Sequence, residues 1–364
     1  MNLRTPGPTP LPMTVREVLS RDMINHRSPE FAAMLKECTE NLKTLFQTKN
    51  DLMILTSSGT GGLEASVSNF FSPGDRVLAV SIGYFGDRWS AIAKAFGLDV
   101  QDLRYEEGHA ADAQEIADKL KADPSIGAVL VTHNETSTGV TNDLEAIAVA
   151  VKSADRMLLV DGISSIGSID LKTDAWGCDV IISGSQKSWM SPPGIAIVAA
   201  SERAWEANKT ATCPRFYFDL AAARKSAVNG ETPWTPGMST FYAIQEALRM
   251  LMQEGLENIL ARHHRVAEYT RQGLTEIGMS LFPADPARAS DTVTAFLTPG
   301  GVPARTVQSR LRDDYDIEIA EGRGELASRM LRIGHLGWVH EDDIKPVLEA
   351  LKIVVADYGV ATPS

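Results

Sequence analysis

The chain has 364 residues and a formal charge of −12, from 35 Lys and Arg against 47 Asp and Glu. That length exceeds one compact core and suits two domains, and 44% hydrophobic with 23% charged residues is the balance of a globular protein. A pI near 5.1 disfavours nucleic acid and anionic membranes as partners, and no apolar run of roughly 18 residues offers a membrane span.

The first dozen residues, MNLRTPGPTPLP, are proline-rich and lack the apolar stretch of a secretory signal. They read as an N-terminal arm, residues 1–20, with a docking surface of its own. From about residue 50 to 200, short apolar runs alternate with helical patterns. Strands are predicted at Met53–Thr56, Arg76–Val80, Val100–Leu103, Ala128–Thr132, Met157–Val160, Val180–Ser183 and Ile195–Ala199. Their near-continuous Val, Ile and Leu content points to burial on both faces. Crossover helices fit Gly62–Phe71, Ser90–Phe96 and Asp112–Leu120. Alternating β and α elements give an α/β fold, a mainly parallel sheet covered by helices.

Beyond residue 200 the pattern changes. Met238–Glu254 sets Phe241, Ile244, Ala247, Leu248, Leu251 and Met252 on one helical face. Gly255 is a stop signal, after which the periodicity can resume to about Gly278. There follow a strand at Thr292–Leu297, a helix at Pro303–Asp313 and short strands near Ile317–Ile319 and Met330–Ile333. A last helix carries Ile344, Val347, Leu348, Leu351, Val354 and Val355. These elements make a smaller α+β domain, residues 256–364, beside a large domain of residues 21–255.

Cys38, Cys178 and Cys213 are scattered and form no CxxC pair. They fit free thiols in a reducing cytoplasm, packed as small hydrophobes. The histidines show no metal-ligand spacing, so no metal is expected. His263-His264 lies on a helical pattern and reads as a solvated face.

In an open α/β sheet, ligands bind beyond the carboxyl ends of strands. Polar clusters sit at four such ends: Ser57-Ser58-Gly59-Thr60-Gly61-Gly62, Thr132-His133-Asn134-Glu135-Thr136, Asp161-Gly162 and Ser183-Gly184-Ser185-Gln186-Lys187. In the first, backbone N–H groups and hydroxyls at a helix start can hold a phosphate. It is not a dinucleotide fingerprint, because Glu64 takes the third glycine position, and it is not a Walker loop. A tight structural turn is the alternative. Asp161 ends an apolar strand, where a carboxylate needs a positive partner such as a protonated pyridine nitrogen; a helix N-cap is the other reading. Lys187 follows another buried strand. Partial burial lowers a lysine pKa and lets the amine form an imine, although without context a solvated loop charge is the commoner reading.

Gly184-Ser185-Gln186-Lys187 with Pro192-Pro193-Gly194, Ser58-Gly59-Thr60-Gly61, Thr132-His133-Asn134-Glu135-Thr136-Ser137-Thr138-Gly139 and Val160-Asp161 together resemble the class V aminotransferases of pyridoxal-phosphate (PLP) fold type I. The resemblance is to the alanine–glyoxylate and serine–glyoxylate aminotransferase group, which includes relatives labelled aspartate aminotransferase or soluble hydrogenase small subunit. It runs from Pro6-Gly7-Pro8 to Arg332-Ile333-Gly334. It implies a PLP-dependent transferase fold, with a mainly parallel seven-stranded sheet in the large domain and a smaller C-terminal α+β domain. It also implies a homodimer with shared active sites, while the scattered cysteines set the expected location in the cytoplasm.

The same resemblance implies roles. Lys187 would hold pyridoxal 5'-phosphate as a Schiff base and shuttle protons, and Asp161 would pair with the pyridine nitrogen. Ser58, Gly59, Thr60 and Gln186 would hold the phosphate. Thr136 would bond near the ring 3-oxygen, and Phe85 would stack on the ring. Thr235 would reach the phosphate of the neighbouring subunit. Arg332 would grip the substrate α-carboxylate, a task that suits a guanidinium fork. The chain departs from the pattern at Thr232, where relatives have tyrosine, and at Gly237, where they often have alanine. His26-Arg27-Ser28-Pro29 recurs in some relatives near the site entrance.

The implied reaction moves the amino group of a small amino acid, of the Ala, Ser or Asp class, to a keto acid such as glyoxylate or pyruvate by ping-pong chemistry. Aspartate would want a second cation, from Arg27 or Arg323; phosphonate substrates also stay open. The alternatives are a lyase of the cysteine desulfurase type and a hydrogenase-associated partner subunit. Ala320–Ala327 holds no cysteine, which speaks against the first, and the full set of matched cofactor residues speaks against the second.

Overall fold

The computed structural model describes residues 1–359; residues 360–364, the tail of the 256–364 range, lie outside the described part. Seven strands form the large sheet: β1 (Asp51–Ser57), β2 (Arg76–Ser81), β3 (Asp99–Arg104), β4 (Ala128–Thr132), β5 (Met157–Asp161), β6 (Val180–Gly184) and β7 (Gly194–Ala200). Their order across the sheet is β1-β7-β6-β5-β4-β2-β3. Only β7 runs antiparallel to its neighbours. Strands β1 to β6 therefore all point one way, and Ser57, Thr132, Asp161 and Gly184 end at one edge.

Every residue of β4, β5 and β6 is buried, as expected where helices cover both faces. Alternate side chains enter separate apolar clusters. Val129, Val131, Val160 and Ile181 go to one face, and Leu130, Leu159 and Ile182 to the other, which is the two-residue period of a strand. The predicted strands all fall inside these elements.

A second sheet, β8 (Ser280–Leu281), β9 (Val293–Leu297), β10 (Ala320–Glu321) and β11 (Met330–Gly334), is antiparallel in the order β8-β9-β11-β10. Helices Leu256–Glu276, Ala304–Tyr315 and Glu341–Ala356 close its core with Val266, Leu311, Leu351 and their neighbours. Gly255, at φ 81°, interrupts the helical run, and the helix resumes at once with Leu256.

Several expectations need correction. The helix after β1, α1 (Gly59–Phe70), starts earlier than Gly62 because the glycine run is its first turn. The helix after β2, α2 (Tyr84–Ala95), starts six residues before the predicted Ser90, its first turn being too aromatic and charged to show a period. The helix Pro29–Leu45 was not anticipated. Ser28 caps it by accepting from Phe31 N, and Pro29 opens it. His263 is fully buried rather than solvated. Its Nδ1 bonds Ile259 O at 2.7 Å and its Nε2 meets Ser168 Oγ at 2.9 Å; only His264 is exposed.

The proline-rich arm lies on its own chain. Asn2–Leu3 pairs in parallel with Ile317–Glu318, Arg4 N donates to Glu318 O, Gly334 N donates to Arg4 O, and Thr9 N donates to Gln186 O. It is a strap from the second sheet to the Lys187 segment. The three cysteines are free and buried, and burial pushes the Cys38 and Cys178 thiols up to about 12. Among the described residues no helix is long and apolar enough to cross a membrane.

Candidate active site

The edge where β1 to β6 end opens into a cavity of about 250 Å³. Its lining includes Ser58, Gly59 and Thr60 from β1–α1, Asn134 and Thr136 after β4, Asp161 at the end of β5, and Gln186 and Lys187 after β6. Phe85 completes the set of predicted residues on this wall. All four polar strand ends thus meet in one place, because the topology aligns their carboxyl ends.

The first turn of α1 makes an anion cradle. Ser58 is its N-cap in extended conformation, with no side-chain bond spent on the cap, so the hydroxyl and the unpaired first-turn N–H groups are free for a ligand. At position 59 a Cβ would stand 2.6 Å from Ile163 Cδ1, so a larger residue would have to displace that side chain. Arg88 Nη1 donates to Thr60 Oγ1 at 3.1 Å and lies 4.8 Å over the Phe85 ring. Beside them Gln186 Oε1 is buried without a hydrogen-bond partner, an orphan that a bound donor or water would satisfy.

Asp161 is 5% exposed. Its Oδ1 accepts from Ile163 N at 2.9 Å. Burial pushes the carboxyl up to about 7, the Ile163 N–H pulls it down, Glu135 pushes it up and Lys187 pulls it down. Lys187 shows the opposite sign. Burial draws its ammonium down to about 8, Arg332 adds to the effect, and Asp161 opposes it. Its Nζ donates to Pro6 O. Gly7, at φ +122°, lies so close that a Cβ would come within 2.6 Å of Lys187 Nζ.

The loop bearing Lys187 is pinned on both sides. Ser185 Oγ donates to Pro192 O at 2.7 Å and accepts from Ile195 N at 3.2 Å. Ser168 Oγ bonds Ser188 Oγ at 2.8 Å, and Thr9 Oγ1 donates to Lys187 O at 3.3 Å.

Glu135 sits behind the wall, fully buried. Its Oε2 accepts from Phe85 N at 3.0 Å and Gly86 N at 3.1 Å, and its Oε1 from Ser137 N at 3.0 Å and from the Ser137 hydroxyl. The carboxylate fixes the start of α2 and with it the Phe85 ring. Burial pushes its pKa up, and these four bonds oppose the rise. Thr136 Oγ1 donates to Ser164 Oγ at 2.8 Å, a hydroxyl that also accepts from Asn134 Nδ2 at 2.9 Å.

Arg332, on β11, is 4% exposed and is not one of the lining residues. Its Nε and Nη2 donate to Glu321 O at 3.0 and 2.7 Å, and its Nη1 to Thr136 O at 2.9 Å. Of a guanidinium's five N–H groups, one on Nη1 and one on Nη2 stay free, the pair that can take a carboxylate end-on. Burial, with Arg323 adding to it, lowers its pKa to about 10. Among the described residues no carboxylate forms an ion pair with Arg88, Arg323 or Arg332. The cavity is cationic inside an acidic protein.

Two expected positions lie elsewhere on the chain. Thr235 is exposed and does not line the cavity. Arg27 pairs with Glu231 and donates to Thr232 O at 3.0 Å, away from the lining residues, while Arg323 is one of them. Sequence reasoning missed Gly7 and Pro8 as lining residues, and also Arg88, Ser164 and the bracing role of Glu135. The double proline around Gly7 was a usable signal. Arg88 gave none, since it reads as a surface arginine on a helix.

The family model described as aminotransferase class-V matches residues 15–335. The chain is 43% identical over 360 residues to the soluble hydrogenase 42 kDa subunit of Anabaena cylindrica, covering 98% of this chain and 94% of that one. It is 38% identical over 360 residues to the L-aspartate–glyoxylate aminotransferase of Paracoccus denitrificans, covering 98% and 91%. Its fold superposes on the crystal structure of an alanine–glyoxylate aminotransferase from Nostoc sp. with a TM-score of 0.93 at 31% identity, covering 97% and 94%.

Proposed function

Because the chain belongs to the class-V aminotransferase family and is an aminotransferase, we propose that it binds pyridoxal 5'-phosphate at Lys187 and moves the amino group of a small amino acid, of the Ala, Ser or Asp class, to a keto acid such as glyoxylate or pyruvate. The observation that carries this reading is that Lys187 and Asp161 share one cavity with the free first turn of α1. The residues fit the cofactor. Ser58, Gly59 and Thr60 offer donors to a phosphate, the Gln186 side-chain amide lines the same cavity and has an NH2 to donate, and the Asp161 carboxylate spends a side-chain bond only on Ile163 N. Glyoxylate as acceptor is supported by the names of the Paracoccus and Nostoc relatives.

When bound, the cofactor supplies an aldehyde that takes up the donor amine and a ring that draws electrons from the donor Cα. The chain supplies the rest. Lys187, with its amine near 8, removes the proton from the donor Cα and returns one to the acceptor Cα. Asp161 holds a proton at the ring nitrogen. Glu135 holds Phe85 at the cavity wall through the start of α2, where its ring would stack on the cofactor. Arg332 takes the α-carboxylate on its two remaining N–H groups.

Thr235 acts in this reading across a homodimer interface, on the phosphate of the neighbouring subunit. Its exposure in the single chain suits that role. So does the aromatic surface beside it, where Phe216, 77% exposed, stacks on Trp234 with ring centres 5.0 Å apart. The lyase alternative is not favoured, because all three cysteines are buried and none lines the cavity. Nor is a partner-subunit role without catalysis, since Ser58, Gly59, Thr60, Phe85, Thr136, Asp161, Gln186 and Lys187 all line one cavity. Purified protein reconstituted with pyridoxal 5'-phosphate tests the proposal. A panel of amino donors should bleach the cofactor's visible absorbance and release the matching keto acids. If no donor in the panel yields a keto acid, the proposal fails.

A further inference from the structure

We infer that Arg323 is the receptor for a second carboxylate, so that the amino donor this site prefers is a four- or five-carbon acidic amino acid, bound by Arg332 at its α-carboxylate and by Arg323 at its side chain. This rests on the aminotransferase reading above and names its substrate class.

The placement comes from three observations. Arg323 lines the cavity together with Lys187, Phe85 and Gly7. Its guanidinium makes no ion pair and no side-chain hydrogen bond among the described residues. It is backed only by the face of Tyr84, 5.8 Å from the ring centre, a contact that steadies a cation without neutralising it. The other candidate cation, Arg27, is already matched by Glu231.

The charge balance points the same way. Arg88 is turned to Thr60 and the Phe85 ring, on the side where a phosphate would sit. Arg332 has one end-on pair of N–H groups, enough for one carboxylate. Arg323 is the cation left over, and it is close enough for its charge to be felt at both Lys187 and Arg332. A donor with an apolar side chain leaves that repulsion in place. A cationic side chain adds to it. A side-chain carboxylate relieves it and gains a bidentate partner.

The experiment measures kcat/KM for L-aspartate, L-glutamate and L-alanine with the reconstituted holoenzyme, its Arg323→Gln variant and its Arg323→Lys variant. An acidic donor should be preferred by the unaltered protein. Arg323→Gln should lower the acidic-to-alanine ratio of kcat/KM by roughly 10–100-fold, the scale of one charge-assisted contact, with the loss mainly in KM. Arg323→Lys should restore part of it. Succinate, an unreactive dicarboxylate, should compete with the donor and lose potency in the Gln variant. Taking a ratio cancels any loss of folded or loaded enzyme. An unchanged ratio, or a preference for alanine in the unaltered protein, overturns the assignment while leaving the aminotransferase reading intact. Absence of turnover with every donor overturns both.

Discussion

At the scale of single residues, the site rests on two charges of opposite sign, Asp161 buried and Lys187 half-buried, each displaced toward neutrality. Desolvation is the leading cause for both, so each group depends on the cavity more than on its partner. A lysine lowered from 10.5 to about 8 is deprotonated above that value. Cofactor capture by the cofactor-free protein should therefore rise with pH through a midpoint near 8 and then level off. Stopped-flow absorbance over a pH series reads this directly, and Arg332→Met should move the midpoint upward by removing a positive neighbour. For Asp161 the sign is reversed. Its carboxyl is raised from 3.8 to about 7 in the folded protein, so charge there costs stability once pH exceeds the unfolded value. Asp161→Asn should lower turnover by about 100-fold or more. The cofactor-free variant should melt no lower than the parent at pH 8, an advantage that vanishes below about pH 4.

At the scale of elements, α2 is held by a side chain from another segment. Glu135 caps its first turn through Phe85 N and Gly86 N, where the helix dipole also favours an anion. Glu135→Ala should cost about 3 kcal/mol in denaturant unfolding, the sum of several buried bonds at about 1 kcal/mol each. It should also speed release of the cofactor, because Phe85 loses its brace. The pattern-rich elements were legible from sequence. The central strands were legible because burial on both faces leaves an unbroken apolar run, as in Leu158–Val160, whereas the edge strand β3 is exposed or half-buried along most of its length. The start of α2 was not, because Phe85 and Arg88 line the cavity while Tyr84 and Asp87 are exposed, which leaves no buried stripe. The pairing of Asn134–Glu135 with Val140–Thr141 was equally hidden, being too short to carry a period.

At the scale of the whole molecule, the strap ties the second sheet to the Lys187 loop. Its backbone bonds Glu318 and Gly334 at one end and Gln186 at the other, and Pro6 O meets the Lys187 amine between them. A shift of the second sheet, which also carries Arg332, would thereby be felt in the space around Lys187. Gly7→Ala tests this coupling. The new Cβ would overlap Lys187 Nζ and would strain a backbone at φ +122°. Cofactor capture should slow roughly 10-fold or more, with far-ultraviolet circular dichroism unchanged. Capture at the parent rate would show that the strap is only a structural tie.

The sequence alone was sufficient for the α/β alternation, the seven strands and the polar residues at their ends, because these follow from local hydrophobic pattern and chain direction. It also supplied the ordered motifs that carry the family resemblance. Tertiary structure decided what depends on distance across the chain. It brought Arg323 to the cavity and left Arg27 paired with Glu231. It buried His263 between Ser168 and Ile259, and it laid Gly7 against Lys187. Neither a pKa displaced by burial nor a cation left without a counter-charge is a property of a residue type. Each is set by what surrounds the group once the chain has folded.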